Sequence, residues 1–290
     1  MSSEQEWDIV SGIGITALAV AASRAVETSR DGALAKDPYA VRFVAEAGSP
    51  LPLPTTEAEA TAIEGESGAP GVDTYVAVRT RAFDDYFQRA LDAGVTQIVL
   101  LASGLDARPF RLPWPEAVVV FEIDQPQVLD FKMKVLRKCG ATTACDHRPV
   151  PIDLRLDWGT ALEKAGFDRA RPTAWLAEGL LPYLPPEAEE ELFHEIHRLS
   201  APGSRLAVEY VGDMRQALDS DAIRDNARSA GVDVGDLLHT DQRPTPGARL
   251  SDLGWETRDV PAPEAATGYG RPLDPDFLMR SAVYVFARRP

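Results

Sequence analysis

Four acids of this 290-residue chain, Asp106, Asp124, Asp153 and Glu178, each stand just beyond a short apolar run, and Gly104 lies shortly before the first of them. Gly104 and Asp124 are 20 residues apart, about the spacing at which a doubly wound fold brings a carboxylate to the hydroxyls of a nucleoside ribose. A glycine lets the backbone approach a ligand closely, and an acid ending a parallel strand points into the crevice where such folds bind. A pyrophosphate dinucleotide wants G-x-G-x-x-G, whose amides face two phosphates. The loop Ala102-Ser103-Gly104-Leu105-Asp106 has one glycine of the three and an acid that would repel phosphate. It suits a cationic nucleoside such as S-adenosylmethionine better than NAD; an ordinary turn with surface acids is the non-functional alternative.

Arg79 is the candidate cation. It falls on the apolar stripe of Val72 to Asp92, an amphipathic helix with Val76, Phe83, Tyr86 and Phe87 on one face, whereas Arg81 lies about 200° further round, facing water. A guanidinium turned toward a core needs an anionic partner, either a structural acid such as Asp84 or Asp85 or a ligand carboxylate. Asp153 closes a third apolar run, Val150 to Leu154, where an acid can accept from an adenine amino group and the next amide can serve a ring nitrogen; a surface turn is the alternative. His194 and His197 are three apart among glutamates, but no further ligand cluster accompanies them, so we expect a solvated helix face and no metal.

These residues must be positioned by a sheet. Gln97 to Leu101, Val118 to Asp124, Val150 to Leu154, Thr173 to Gly179 and Ser204 to Val211 read as strands, separated by a helix at Gln125 to Lys138 and by the stretch Leu180 to Glu187 with a helix running on to Ser200. Leu250 to Val260 and a final strand, Ala282 to Ala287, complete a doubly wound α/β fold. Trp7 to Val44 reads as one or two helices, with Asp37 capping a start at Pro38 and Gly12-Ile13-Gly14 as helical packing, since no strand precedes it. Residues 48–71, rich in proline, glycine and glutamate, read as a mobile loop and candidate lid. The expected organisation is one domain, 1–290: N-terminal helices and loop at 1–71, a cofactor-binding core at 72–211, an insertion at 212–249 and the final strands at 250–290.

A net charge of −15 argues against nucleic acid or an anionic membrane as partner. Cys139 and Cys145 make neither a disulfide framework nor a metal pattern, which fits a reducing cytoplasm. The run Ile13 to Ala22 is far short of the ~20 residues of a membrane span, and the acidic start is no signal peptide. Nothing in the sequence speaks to oligomeric state.

Leu101-Ala102-Ser103-Gly104-Leu105-Asp106-Ala107-Arg108, Phe121-Glu122-Ile123-Asp124-Gln125-Pro126 and Ala177-Glu178-Gly179-Leu180-Leu181-Pro182-Tyr183-Leu184 together resemble the leucine carboxyl methyltransferase family. The likeness is to its bacterial branch of S-adenosylmethionine-dependent O-methyltransferases and spans nearly the whole chain. It implies a Rossmann-like class I methyltransferase sheet and S-adenosyl-L-methionine as cofactor. On these residues it implies Arg79 at the cofactor carboxylate, Gly104 beneath the methionine portion and Asp124 on the ribose. Asp153 and Leu154 would hold the adenine, Glu178 would sit near the methionine end, and Arg24 would be a looser basic contact. Ala102 and Ser103 depart from the family's common Gly-Ala. The implied reaction is methyl transfer to a small-molecule carboxylate or hydroxyl. A carboxylate needs no base, a hydroxyl does, and His147, His194, His197 and His239 qualify by type alone, so no catalytic residue is assigned. A non-catalytic S-adenosylmethionine sensor and an NAD-linked oxidoreductase are the rival readings.

Overall fold

Gln97–Leu101 forms β1, buried along its whole length because strands pair with it on both edges and helices cover both faces. A computed structural model describes residues 12–49, 52–67, 71–212, 238–274 and 277–290. The strands continue as β2 (Val119–Asp124), β3 (Asp146–Pro151), β4 (Thr173–Ala177), β5 (Arg205–Val211), β6 (Glu256–Pro261) and β7 (Ala282–Arg288). They form one seven-stranded sheet in the order β3-β2-β1-β4-β5-β7-β6. β1 to β5 are parallel, and β7 runs antiparallel between β5 and β6.

The helices are α1 (Gly12–Ser29), α2 (Ala40–Ala47), α3 (Glu57–Ser67), α4 (Val72–Asp92) and the short α5 (Arg108–Arg111). After these come α6 (Pro126–Lys138), α7 (Trp158–Lys164), α8 (Pro186–Leu199), α9 (Pro246–Asp252) and α10 (Ala262–Gly268). Alternation along β1 divides the core into two layers. Ile98 and Leu100 face α4, where Phe83, Tyr86, Phe87, Trp114 and Tyr284 pack. Val99 and Leu101 face α7 and α8, with Trp158, Phe167, Trp175 and Phe193. A third apolar group joins α1 and α2 to α6, closing one side of the sheet's C-terminal edge.

α4 and α6 occupy the spans expected of them; Asp37 Oδ1 accepts from the amides of Tyr39 and Ala40 in the turn leading into α2, which begins at Ala40 rather than at Pro38. Two further expectations need correction. The third strand runs from Asp146 to Pro151 rather than over Val150 to Leu154. It is an edge strand with Val150 as its one buried residue, so its pairing to β2 leaves little hydrophobic trace. Part of the segment expected as a loop over 48–71 is helix α3, started by a capping box: Thr56 Oγ1 accepts from Glu59 N, and Glu59 Oε2 from Thr56 N. Glu57 N donates to Ser29 Oγ, fastening α3 to the end of α1. Residues 50–51 and 68–70, like 213–237 of the expected insertion, lie outside the described residues. Among those described, no helix is long and apolar enough to cross a membrane.

Candidate cofactor site

The C-terminal ends of β1 to β5 and the inner face of α1 enclose a cavity of about 540 Å³. This is where an open parallel sheet offers its crevice, at a volume typical of a small-ligand site (about 300–1,000 Å³). Arg79, Gly104, Asp124, Asp153, Leu154 and Glu178 all line it, as does Arg24.

The loop after β1 supplies the floor. Gly104 has φ +50° and Ala102 +47°, left-handed backbone that glycine adopts freely and alanine at a cost. Asp124 Oδ2 accepts from Gly104 N at 2.6 Å and Oδ1 from Gln125 N at 2.7 Å, so the acid at the end of β2 fixes the loop at the end of β1. Each oxygen keeps a lone pair for a ligand. Burial raises the Asp124 carboxyl above its usual range despite those amides. Lys132 of α6 supports the loop from below, donating to Ser103 Oγ, the Asp106 carbonyl and Glu122 Oε1; Glu122 Oε2 lies 2.8 Å from His147 Nε2.

Arg79, on the buried face of α4, has its partners on neither Asp84 nor Asp85. Its Nε lies 2.9 Å from Glu178 Oε1, and its Nη1 donates to both oxygens of Glu209. Glu209 also accepts from Gly179 N at 2.7 Å and from the Tyr75 hydroxyl. Nη2 of Arg79 donates to none of the described residues. Glu178 Oε2 in turn accepts from Arg108 at 2.7 Å, and Arg108 reaches Asp106 and Asp84, the latter also held by Arg111. Burial raises Glu178, but the Arg108 and Arg79 guanidinia outweigh it and hold the carboxyl below its usual range. For Asp106 the same contest, won mainly by Arg108, brings the carboxyl down to about 2.

This network joins three guanidinia to four carboxylates, leaving one negative charge unmatched beside the cavity. Arg24 is paired with Asp37 and donates to the Leu105 carbonyl. Asp153 sits on the opposite wall with Arg155 folded onto it: Oδ1 accepts from N and Nε, and Oδ2 from Nη2. The sequence reading missed Glu209, whose trace is one acid inside the apolar run of β5, and the depth of Arg108, whose side chain is wholly buried. His194 is exposed, and His197 Nδ1 accepts from Trp255; among the described residues no group of acids, histidines and cysteines could hold a metal.

A 3-2-1-4-5-7-6 sheet with an acid-rich cavity across the ends of its parallel strands defines a class I S-adenosyl-L-methionine-dependent methyltransferase. Residues 17–197 match the family model described as "Leucine carboxyl methyltransferase", and the chain belongs to that family. A Saccharopolyspora erythraea protein named "Putative S-adenosyl-L-methionine-dependent methyltransferase" is 50% identical over 273 residues, covering 94% of this chain and 93% of its own. One of the same name from Mycolicibacterium vanbaalenii is 43% identical, covering 100% of this chain and 99% of its own. Among solved structures, a "duf574 family protein" from Streptomyces avermitilis superposes with TM-score 0.56 at 19% identity, over 87% of this chain and 95% of that one. A "putative methyltransferase" from Thermobifida fusca gives 0.53 at 21%, over 86% and 93%. The site's chemistry fits the cofactor: with ammonium, sulfonium and carboxylate ionised, S-adenosylmethionine carries one net positive charge, opposite to the unmatched charge of the network.

Proposed function

We propose that this methyltransferase methylates an oxygen, carboxylate or hydroxyl, of a small molecule, with S-adenosylmethionine held by Arg79, Gly104, Asp124, Asp153, Leu154 and Glu178. The observation that carries the small-molecule reading is the size and lining of the cavity. It holds about 540 Å³, within the range of a small-ligand site, and the Tyr183 hydroxyl donates to Thr16 Oγ1 at 3.1 Å, tying the turn after β4 to α1 where both line it.

In this reading Asp124 accepts from the ribose hydroxyls with its spare lone pairs, while Gly104 admits the methionine portion. Oδ2 of Asp153, with one protein partner, takes the adenine amino group, and the Leu154 amide serves the ring. Arg79 offers Nη2 to the amino-acid carboxylate, and Glu178 faces the cationic end. When bound, the cofactor supplies a methyl group on positively charged sulfur, open to in-line attack by an oxygen. The protein's contribution is alignment and exclusion of water. A net charge of −15 supports a small acceptor over nucleic acid or an anionic membrane, and the two free thiols support a reducing cytoplasm.

The test is transfer of labelled methyl groups to a panel of small acids, alcohols and phenols, with alkaline hydrolysis separating esters from ethers. Label on oxygen of any panel member supports the proposal; label only on nitrogen, carbon, sulfur or a macromolecule overturns it.

A further inference from the structure

A second cavity, of about 810 Å³, lies between the 3-10 turn Leu181–Tyr183, the end of β5 at Tyr210 and residues 239–244. It adjoins the cofactor cavity. Pro182 and Val211 belong to both walls, and Leu238, on the wall of the first, is followed by His239 on the wall of the second.

The segment carrying His239 is clamped in place. His239 N donates to the Pro182 carbonyl at 2.8 Å, and Arg243 Nη1 donates to the Leu184 carbonyl and to Glu189 Oε2. Arg243 Nη2 reaches back to the His239 carbonyl at 3.3 Å. Glu189, on α8, is fully buried; its Oε2 takes Arg243 and its Oε1 lies 3.6 Å from Arg249 Nε, while burial raises its carboxyl above the usual range. The pair with Arg243 fixes the 239–243 turn to the element that follows β4. His239 Nδ1 lies 3.7 Å from Asp241 Oδ2, which leaves Nε2 for a ligand.

Resting on the oxygen-methylation reading, we propose that this second cavity is the acceptor site, that the acceptor presents an uncharged hydroxyl, and that His239 takes its proton. The cations decide against a carboxylate. Among the described residues lining the two cavities, Arg24, Arg155 and Arg243 are each already paired with a protein acid, and the remaining nitrogen of Arg79, Nη2, is taken by the cofactor carboxylate in that reading. An anionic acceptor would enter an acidic site with no guanidinium to receive it. The same acids hold an amine in its protonated, non-nucleophilic form. A hydroxyl avoids both penalties but needs a base within hydrogen-bond reach. His147 is bound to Glu122 and His197 to Trp255, and of the described histidines His239 lines one of these two cavities. His239 Nε2 accepts the hydroxyl proton while an electron pair of the acceptor oxygen forms the bond to the methyl carbon. The pair of the broken carbon–sulfur bond stays with sulfur, and the imidazolium later yields its proton to water.

The probe is 4-nitrophenol, whose phenolate absorption band reports loss of its proton on binding to the full chain in the presence of S-adenosylhomocysteine. The expected result is a saturable phenolate band with the wild-type protein and methylation of the probe. His239→Gln, a half-exposed position, should keep the melting temperature and S-adenosylhomocysteine affinity, lose the band, and slow methylation about 100-fold or more. Asp241→Asn should weaken the band while retaining probe affinity, as a residue that orients the imidazole. An unchanged band and rate in His239→Gln overturns the inference, as does the absence of saturable probe binding. A panel that yields methyl esters and no ethers also overturns it while leaving oxygen methylation standing; no transfer to any oxygen defeats both.

Discussion

Arg79 on α4 and Glu209 on β5 are joined by two hydrogen bonds from one guanidinium nitrogen, 2.9 and 3.0 Å long, 130 residues apart in the chain. Because Arg79 also meets Glu178, the residue just past β4, a single side chain joins the ends of two strands at the wall of the candidate cofactor cavity. Glu209→Gln removes the unmatched negative charge while keeping an oxygen for Gly179 N. Two charges about 5 Å apart at an effective dielectric of 20 interact by about 3 kcal/mol, so a partial loss of 1–2 kcal/mol is the expected scale. Calorimetry should therefore show S-adenosylmethionine binding weakened about tenfold or more, and the uncharged-sulfur product S-adenosylhomocysteine weakened less. Equal losses for the two would mean that Glu209 shapes the site without contributing its charge.

Asp124 has two tasks, and substitution separates them. Asp124→Asn keeps an acceptor for Gly104 N, whereas Asp124→Ala leaves that amide without its present partner, at a cost of about 1–3 kcal/mol if it stays buried. We expect both variants to lose nucleoside affinity in calorimetry with adenosine and S-adenosylhomocysteine, and the alanine variant to lose stability as well. Full nucleoside affinity in Asp124→Ala would remove Asp124 from the site.

Ala102 stands at φ +47°, where a Cβ is strained by roughly 1–2 kcal/mol. Glycine there relieves the strain but gives up a partly buried methyl and adds unfolded-chain entropy, about 0.8 and 0.4–1 kcal/mol. Ala102→Gly should thus melt within a degree or two of wild type. Ala107→Gly, fully buried at φ −102°, has no strain to relieve and should be clearly destabilised, by about 1 kcal/mol or more in denaturant titration.

Much of this cavity's lining was legible because parallel strands advertise themselves: β1, β2 and β4 are largely apolar, β2 being broken by Glu122, and residues at or just past their C-terminal ends fall on the cavity wall. Gly104, Asp124 and Glu178 follow from that rule, and Arg79 from its phase on α4. β3 was misplaced because an edge strand is specified by backbone pairing to β2, which carries no hydrophobic pattern. α3 was read as a loop because its composition is glutamate-rich with little apolar surface, although the Thr56–Glu59 capping box was there to be seen. Glu209 and Arg108 were illegible for a different reason. Their partners lie up to 134 residues away, and one buried charge acquires meaning only when the sheet brings another to it.

The carboxylates of the network set the response to acid. Burial alone would raise Asp84, Asp106 and Glu178, but neighbouring guanidinia hold all three below their usual range, Asp106 at about 2. A carboxyl depressed in the folded state contributes stability that is complete above its unfolded value and disappears as pH falls through its folded value. The denaturant midpoint should therefore show no loss from these groups down to about pH 4–5, then fall steeply toward pH 2. A midpoint that is level from pH 5 to 2 would show that the ion pairs add nothing to folding.

Lys132 and Glu122 are both fully buried and 2.6 Å apart, beneath the loop that forms the cavity floor. Lys132→Met strands Glu122 with His147 as its remaining partner, an error that costs about 3–5 kcal/mol for a buried pair. Burial raises the Glu122 carboxyl, and Lys132 is the foremost group that overcomes it to hold the net value low. Without the lysine the balance reverses, and a carboxyl raised in the folded state destabilises progressively as pH climbs above its unfolded value. The deficit of Lys132→Met relative to wild type should hence be largest at neutral pH and shrink as pH approaches about 4. The double variant Lys132→Met/Glu122→Gln should recover much of the loss at pH 7 and lose most of that pH dependence. Because Lys132 also supports Ser103 and the Asp106 carbonyl, S-adenosylhomocysteine affinity should stay reduced in the double variant even where stability returns. Recovery of both together would confine Lys132 to a purely electrostatic role at Glu122.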